Sequence, residues 1–304
     1  MRLTLVLPRC SRYNGPVGVE SRSDCAVSDG EEETVRDAHL QDCGELVIYS
    51  AEQIDHITRG KNKVQVGLSR LQRRLIYEHA PKLKSDRARE YLLQGICRRL
   101  SILRRSIDNV FTIFPPCREN LLSDGESGDL EINLHAFAIN AYGVLDNIAW
   151  VFVYENSLER QIQGGRRGVG LFADKTMKHF PERIREYLNG ETLRSWYRDY
   201  AKNYRDALAH RIPLYVPPST LGPKDAERYY EYDTAISKRL AIDDLDNIKQ
   251  LRDEQASIGS ICGAFLHSYS DSDAPLPVMF HAQMLADSNT VMEMISVVIL
   301  EEQT

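Results

Sequence analysis

The segment Tyr204-Arg205-Asp206-Ala207-Leu208-Ala209-His210-Arg211 carries the densest chemistry in the chain. Arginine supplies a permanent cation with a planar set of donors, and histidine has the ordinary pKa nearest neutrality. The two suit a phosphodiester that brings its own nucleophile, as RNA does in its 2′-OH. Cleaving such a bond needs a proton acceptor, a proton donor and a fixed cation for the charge on phosphorus. Arg205 and His210 can fill those roles without metal. Five positions along a helix turn the direction by about 140°, so these two side chains do not stack on one face. They flank one cleft only if the helix frays or a second subunit brings them together. Asp206 and His210 are four apart and share a face. Asp206 would orient the imidazole and favour its protonated form, as the helix C-terminus also does. Spacing alone favours a structural role, because Arg and His are common in a last helical turn, where they satisfy the dipole.

Positioning these residues falls to a series of helices. The motif ends a helix capped at Thr192, with Leu193, Tyr197, Tyr200, Tyr204 and Leu208 on one stripe and Trp196 beside it. Pro213 requires that helix to stop near Ile212. Upstream, Val64, Leu68, Leu71 and Leu75 recur at helical steps, ending at Pro81. Leu93, Ile96, Leu100, Leu103, Ile107, Val110 and Phe114 hold the same period until Pro115-Pro116. After a polar loop over Ser123–Gly128, Leu134, Phe137, Ala141, Leu145, Ile148 and Phe152 mark another helix. Asp146 and Asn147 lie beside that stripe, either lining the motif's cleft or forming a buried, hydrogen-bonded helix contact. Pro181 suits the first position of a further helix.

The Gly164–Gly170 stretch reads as a loop, because no Gly-Lys-Ser/Thr follows it and a helix precedes it. Leu214–Pro223, with its prolines, reads as an extended crossing, and residues 224–257 as a charged helical excursion. A loop over Ser268–Pro277 leads to a closing helix capped near Asp287 or Ser288, with Val291, Ile295 and Val298 inward. The fold class is therefore all-α: an antiparallel helical bundle with the charged excursion inserted before its closing helix. Residues 1–44 lack a sustained apolar period and read as a disordered tail. Residues 45–85 read as an N-terminal helical extension, with Leu46–Tyr49 either a short strand or a first helical turn, and 86–304 as the main domain.

Composition narrows the function classes. The 304 residues, 42% hydrophobic and 27% charged, are an ordinary globular mix. No apolar run approaches the ~20 residues that span a bilayer. The opening Leu3–Leu7 is too short for a secretory core and ends at Pro8, so no membrane contact and a cytoplasmic location are expected. The six cysteines form no C-x-x-C pair, and the eight histidines no H-E-x-x-H or H-x-H spacing. Free thiols, no metal and no cofactor follow as expectations. A net charge of −6 argues against coating nucleic acid non-specifically, yet Arg59–Arg105 holds fourteen Lys and Arg against three acids. Arg98, Arg99, Arg104 and Arg105 fall mostly off the apolar stripe, and Arg98 and Arg104 are the expected contacts for a nucleic-acid backbone. Two solvated helix faces would give the same pattern.

With the helical context in view, the Arg205–His210 segment resembles the R-x4–6-H motif of HEPN domains, helical bundles named for higher-eukaryotic and prokaryotic nucleotide binding. Asp206 matches the polar second position of that motif. The wider stretch Tyr204–Pro218, and Phe280–Asp287 near the end, resemble an uncharacterised bacterial HEPN-like group, and the resemblance covers roughly residues 86 to 302. It implies a homodimer in which two motifs meet across the interface. It also implies metal-independent RNA cleavage to a 2′,3′-cyclic phosphate in a toxin or phage-defence role, under an antitoxin or other regulatory protein. Arg205 would hold the scissile phosphate, His210 would act as general acid or base with the partner's equivalent histidine, and Asp206 would orient it. Other family members keep the bundle only for dimerisation or nucleotide binding. One version, R-x4-H-x-Tyr, is not matched, because Ile212 stands where the tyrosine would be and Tyr215 lies beyond Pro213. Trp196, Tyr197, Tyr200 and Tyr204 could stack bases or fill a core. His135 and His179 read as structural, and His281 lies in a family-like stretch that could approach the site.

Overall fold

A computed structural model describes residues 48–242, 244–267 and 276–300, all within one compact unit, Leu46–Thr304. The 1–44 tail and most of the loop expected over Ser268–Pro277 lie outside the described residues. Helix α1 (Ala51–Arg74) begins at a capping box in which Gln53 N–H reaches Ser50 Oγ at 3.2 Å and Ser50 N–H reaches Gln53 Oε1 at 2.8 Å. Its Ile57, Val64, Leu68 and Leu71 are buried. A second continuous rod follows, from α2 (Asp86–Glu90) through a wide π turn at Tyr91–Cys97 into α3 (Arg98–Ile113). The π turn moves the apolar stripe by one position, so Leu92 is fully buried where Leu93 was expected, and Leu93 is only half-buried.

Helix α4 (Asp124–Glu155) returns antiparallel to this rod. Arg99 meets Asn140 and Asn147, whereas Asn109, farther along α3, meets Asn133, earlier on α4. The connection is tied by Arg118, whose guanidinium grips Glu126 at 2.8 and 2.9 Å and also donates to the carbonyls of Ile113, Asn120 and Leu121. Helix α4 is long and apolar enough to cross a membrane, with a mean hydropathy of 1.4 over its most apolar window. The bundle buries 67% of that window, and the polar His135, Asn140, Asp146 and Asn147 that interrupt the apolar run sit on the less covered side.

Short helices α5 (Asp174–Met177) and α6 (Glu182–Asn189) then lead to the motif rod. Pro181 precedes α6 as its cap rather than opening it. The motif rod comprises α7 (Glu191–Trp196), a π turn at Tyr197–Ala201 and α8 (Lys202–His210), and it begins at Gly190 rather than at a Thr192 cap. Beyond it, α9 (Pro223–Leu240) and α10 (Leu245–Ala256) pack on each other as the charged excursion.

The end of the chain departs from expectation. Strands β1 (Ala264–His267) and β2 (Leu276–Met279) pair antiparallel, with Ala264 opposite Met279, and α11 (Phe280–Ile295) starts directly after β2. Asp287 and Ser288 therefore lie in mid-helix and are buried, not at its cap. The cause is an inward stripe that reaches back to Phe280 through His281 and Met284. Helix α11 packs against α1, α3 and α4, which places residues 51–74 inside the same bundle.

Candidate functional site

The site is the less covered side of α4, flanked by α3 on one side and α8 on the other. On its α3 side, the Arg99 guanidinium lies directly against Gly143, where any Cβ would collide with it. Arg99 Nε donates to Asn147 Oδ1 at 3.0 Å, and its Nη1 to Asn140 Oδ1 at 2.9 Å. Gly95, in the π turn, leaves room for the Asn147 amide in turn. Gly143 opposite Arg99 and Gly95 opposite Asn147 thus leave the room in which one arginine is seated.

On the α8 side, Arg205 lies 4.7 Å from the centre of the Tyr142 ring and donates to its hydroxyl at 3.1 Å. Tyr142 is backed by Tyr197, ring centroids 6.2 Å apart, and Tyr197 by Phe172 at 4.1 Å. The chain after the motif is pinned to α4 as well. His135 bonds the Leu214 carbonyl through Nε2 at 2.6 Å, and Glu131 accepts from Val216 N–H at 2.9 Å.

Asp146 stands between the arginines. Burial pushes its carboxyl above the ordinary aspartate value, and the positive charges of Arg205 and Arg99 pull it back in part. It accepts no hydrogen bond among the described residues. For Arg205, burial opposes the charged form, but the Tyr142 bond and the nearby Asp206 and Asp146 charges outweigh it and raise its pKa. Tyr197 is raised first by burial, then by its contact with Tyr142 and by the Asp146 charge.

The expected residues are only partly brought together. Arg205, Asp146 and Asn147 all face this groove. Asp206 does not orient His210: its carboxylate takes Lys202 at 2.6 Å and Arg205 at 2.8 Å. Two cations nearby on its own helix outcompete an imidazole in the fraying last turn. His210 is exposed and makes no hydrogen bond or ion pair among the described residues. In one chain, then, Arg205 turns inward while His210 faces solvent, as the 140° offset between them requires. Arg98 is exposed on the crest of α3. Arg104 points away from the groove toward α1, where its Nε meets Gln65 Oε1 at 3.4 Å.

His281 does not approach the groove. It is fully buried, bonded to the Tyr49 hydroxyl at 3.2 Å and the Phe114 carbonyl at 2.8 Å, and burial lowers its pKa to about 4. Trp196 serves the core, donating to Asp287 at 2.8 Å. Arg99 and Tyr142 are the groove residues not singled out from sequence as site candidates. The signal for Arg99 was present in Gly95 and Gly143, which mark a close approach of two helices. Among the described residues no three His, Cys, Asp or Glu side chains gather as metal ligands would.

No family model, no curated protein and no solved structure matches this chain. The site offers two guanidiniums and a half-buried carboxylate, with Tyr142 buried behind Arg205, a set able to hold an anionic ligand.

Proposed function

We propose that the chain is a metal-independent endoribonuclease of HEPN type, acting on RNA as a homodimer in a toxin or phage-defence role. The observation that carries this reading is Arg205, bonded to Tyr142 beside α4, with an unengaged imidazole at the end of the same helix. In the proposed reaction a base removes the 2′-OH proton and the oxygen attacks phosphorus. The 5′-oxygen then leaves with a proton from the acid, giving a 2′,3′-cyclic phosphate. Arg205 stabilises the charge on the phosphoryl oxygens. His210, facing outward, serves as acid or base together with the His210 of a second copy, which answers the angular offset within one chain.

A second reading, a HEPN-like nucleotide-binding or dimerisation protein without catalysis, is favoured by one observation: Asp206 engages Lys202 and Arg205, so nothing in the single chain orients His210. Incubating the purified chain with RNA in EDTA separates the two. Fragments ending in a 2′,3′-cyclic phosphate, absent with His210→Ala, support the nuclease. Intact RNA with tight nucleotide binding supports the alternative.

A further inference from the structure

We infer that Arg99, on α3, is the second phosphate-gripping residue of the groove, and that Arg99 and Arg205 together hold one phosphodiester over Asp146. The inference deepens the proposed function, since it assigns a ligand contact within the same groove.

Three observations carry it. First, Arg99 is built into place rather than left on the surface: Gly143 makes room for its guanidinium, two asparagines fix it, and Gly95 makes room for one of those. A cation so thoroughly seated usually answers a carboxylate partner. Arg99 has no ion pair among the described residues; its two bonds go to neutral amides. Second, each arginine uses only two of its five N–H donors, Arg99 on Asn147 and Asn140, Arg205 on Tyr142 and Asp206. The remaining donors of both suit the several acceptor oxygens of a phosphodiester. Third, the two guanidiniums come from opposite walls yet both act electrostatically on Asp146, which hydrogen-bonds to neither. That carboxylate marks where negative charge is accepted between them.

Arg98 and Arg104 do not substitute for Arg99, because the first lies on the exposed crest and the second is turned to α1.

The test measures binding, not cleavage. The full chain is titrated with a fluorescent 2′-O-methyl dinucleotide, which holds one phosphodiester and lacks the nucleophile, so it cannot be cut. Wild type is expected to bind it, and Arg99→Gln to bind it at least ~10-fold more weakly. Arg70→Gln, on the exposed face of α1, should bind like wild type. If Arg99→Gln unfolds, Arg99→Lys decides: the charge remains, but an ammonium cannot keep both amide bonds and reach the ligand, so affinity should again fall. Wild-type affinity in a folded Arg99 variant, an equal loss in Arg70→Gln, or no binding by wild type overturns the inference. If binding behaves as expected while RNA stays intact, the nuclease reading fails and this assignment stands.

Discussion

The Arg205 guanidinium rests 4.7 Å from the Tyr142 ring centre and donates to the Tyr142 hydroxyl at 3.1 Å, so one tyrosine holds the motif arginine in two ways. Tyr142→Phe keeps the ring and removes the hydroxyl. RNA cleavage should then fall by roughly the worth of one charged hydrogen bond, about tenfold or more. Tyr142→Ala removes the ring as well and should cost more, together with the packing on Tyr197. Equal rates for wild type and Tyr142→Ala would mean that Arg205 needs no such support.

His210 is exposed and unengaged within the chain, so replacing it should cost the fold almost nothing. His210→Ala is expected to unfold within ~0.5 kcal/mol of wild type while losing RNA cleavage. Arg205→Lys should also be severe, because a point-charge ammonium cannot reproduce the two-point grip on Tyr142 and phosphate. Retained cleavage in folded His210→Ala would leave the binding reading of the groove in possession.

Asp287 makes stability pH-dependent. Burial between α11 and the motif rod raises its carboxyl to about 7, against the bonds from Trp196 and Gln283 that lower it. Its unfolded value is near ~3.9. A folded-state pKa above the unfolded one means that the folded chain holds the proton more tightly. That contribution is complete below pH ~4 and is lost as pH rises toward 7, levelling off beyond it. The difference amounts to at most ~4 kcal/mol at ~1.4 kcal/mol per pKa unit. Asp287→Asn keeps an acceptor for Trp196 and cannot ionise, so it should raise the melting temperature at pH 8 and flatten the slope between pH 4 and 7. An unchanged slope in a folded Asp287→Asn would show that other groups produce it.

The same residue shows where sequence reading stops. Leu100, Leu103, Ile107 and Val110 on α3, and Leu134, Phe137 and Leu145 on α4, betray their helices because water excludes one face of each at the helical period. Asp287-Ser288 looks like a helix cap by the same local logic, and only the tertiary position of Trp196 turns it into a buried acceptor. The groove divides in a similar way. Arg205 and Asp146 stand out by residue type and placement. Choosing Arg99 over Arg98 and Arg104 depends on which side of α3 meets α4, and the π turn at Tyr91–Cys97 alters that facing by a fraction of a turn. A seven-residue wide turn shifts the stripe by one position, which a pattern read at 3.6 takes for a regular helix.

The Arg118–Glu126 clamp at the start of α4 predicts a loss of stability in acid. Two bonds from Arg118, with those from Ser123, hold the Glu126 carboxyl down to about 2. Its unfolded pKa is near ~4.3. A depressed folded value gives stability that is present above pH ~4.3 and disappears as pH falls through 2. Arg118→Ala should therefore lower the melting temperature at pH 7 and make little difference at pH 2. A constant deficit at both values would assign the effect to the carbonyl bonds of Arg118 instead.

Gly143 and Arg99 should be coupled with a change of sign. In an exposed or roomy helix position, Gly→Ala is stabilising by about 0.5–1 kcal/mol, since alanine loses less backbone freedom. At position 143 of the wild-type chain a methyl group would meet the Arg99 guanidinium, so Gly143→Ala should instead destabilise, by about 1–3 kcal/mol if the arginine is forced from Asn140 and Asn147. In an Arg99→Ala background the obstruction is gone, and the same substitution should recover its ordinary stabilising effect. Denaturant unfolding of wild type, the two single variants and the double variant measures the coupling directly. Near-additive changes would show that Arg99 swings aside freely. It would then be a loose surface cation rather than a seated one, and the groove would have one guanidinium, not two.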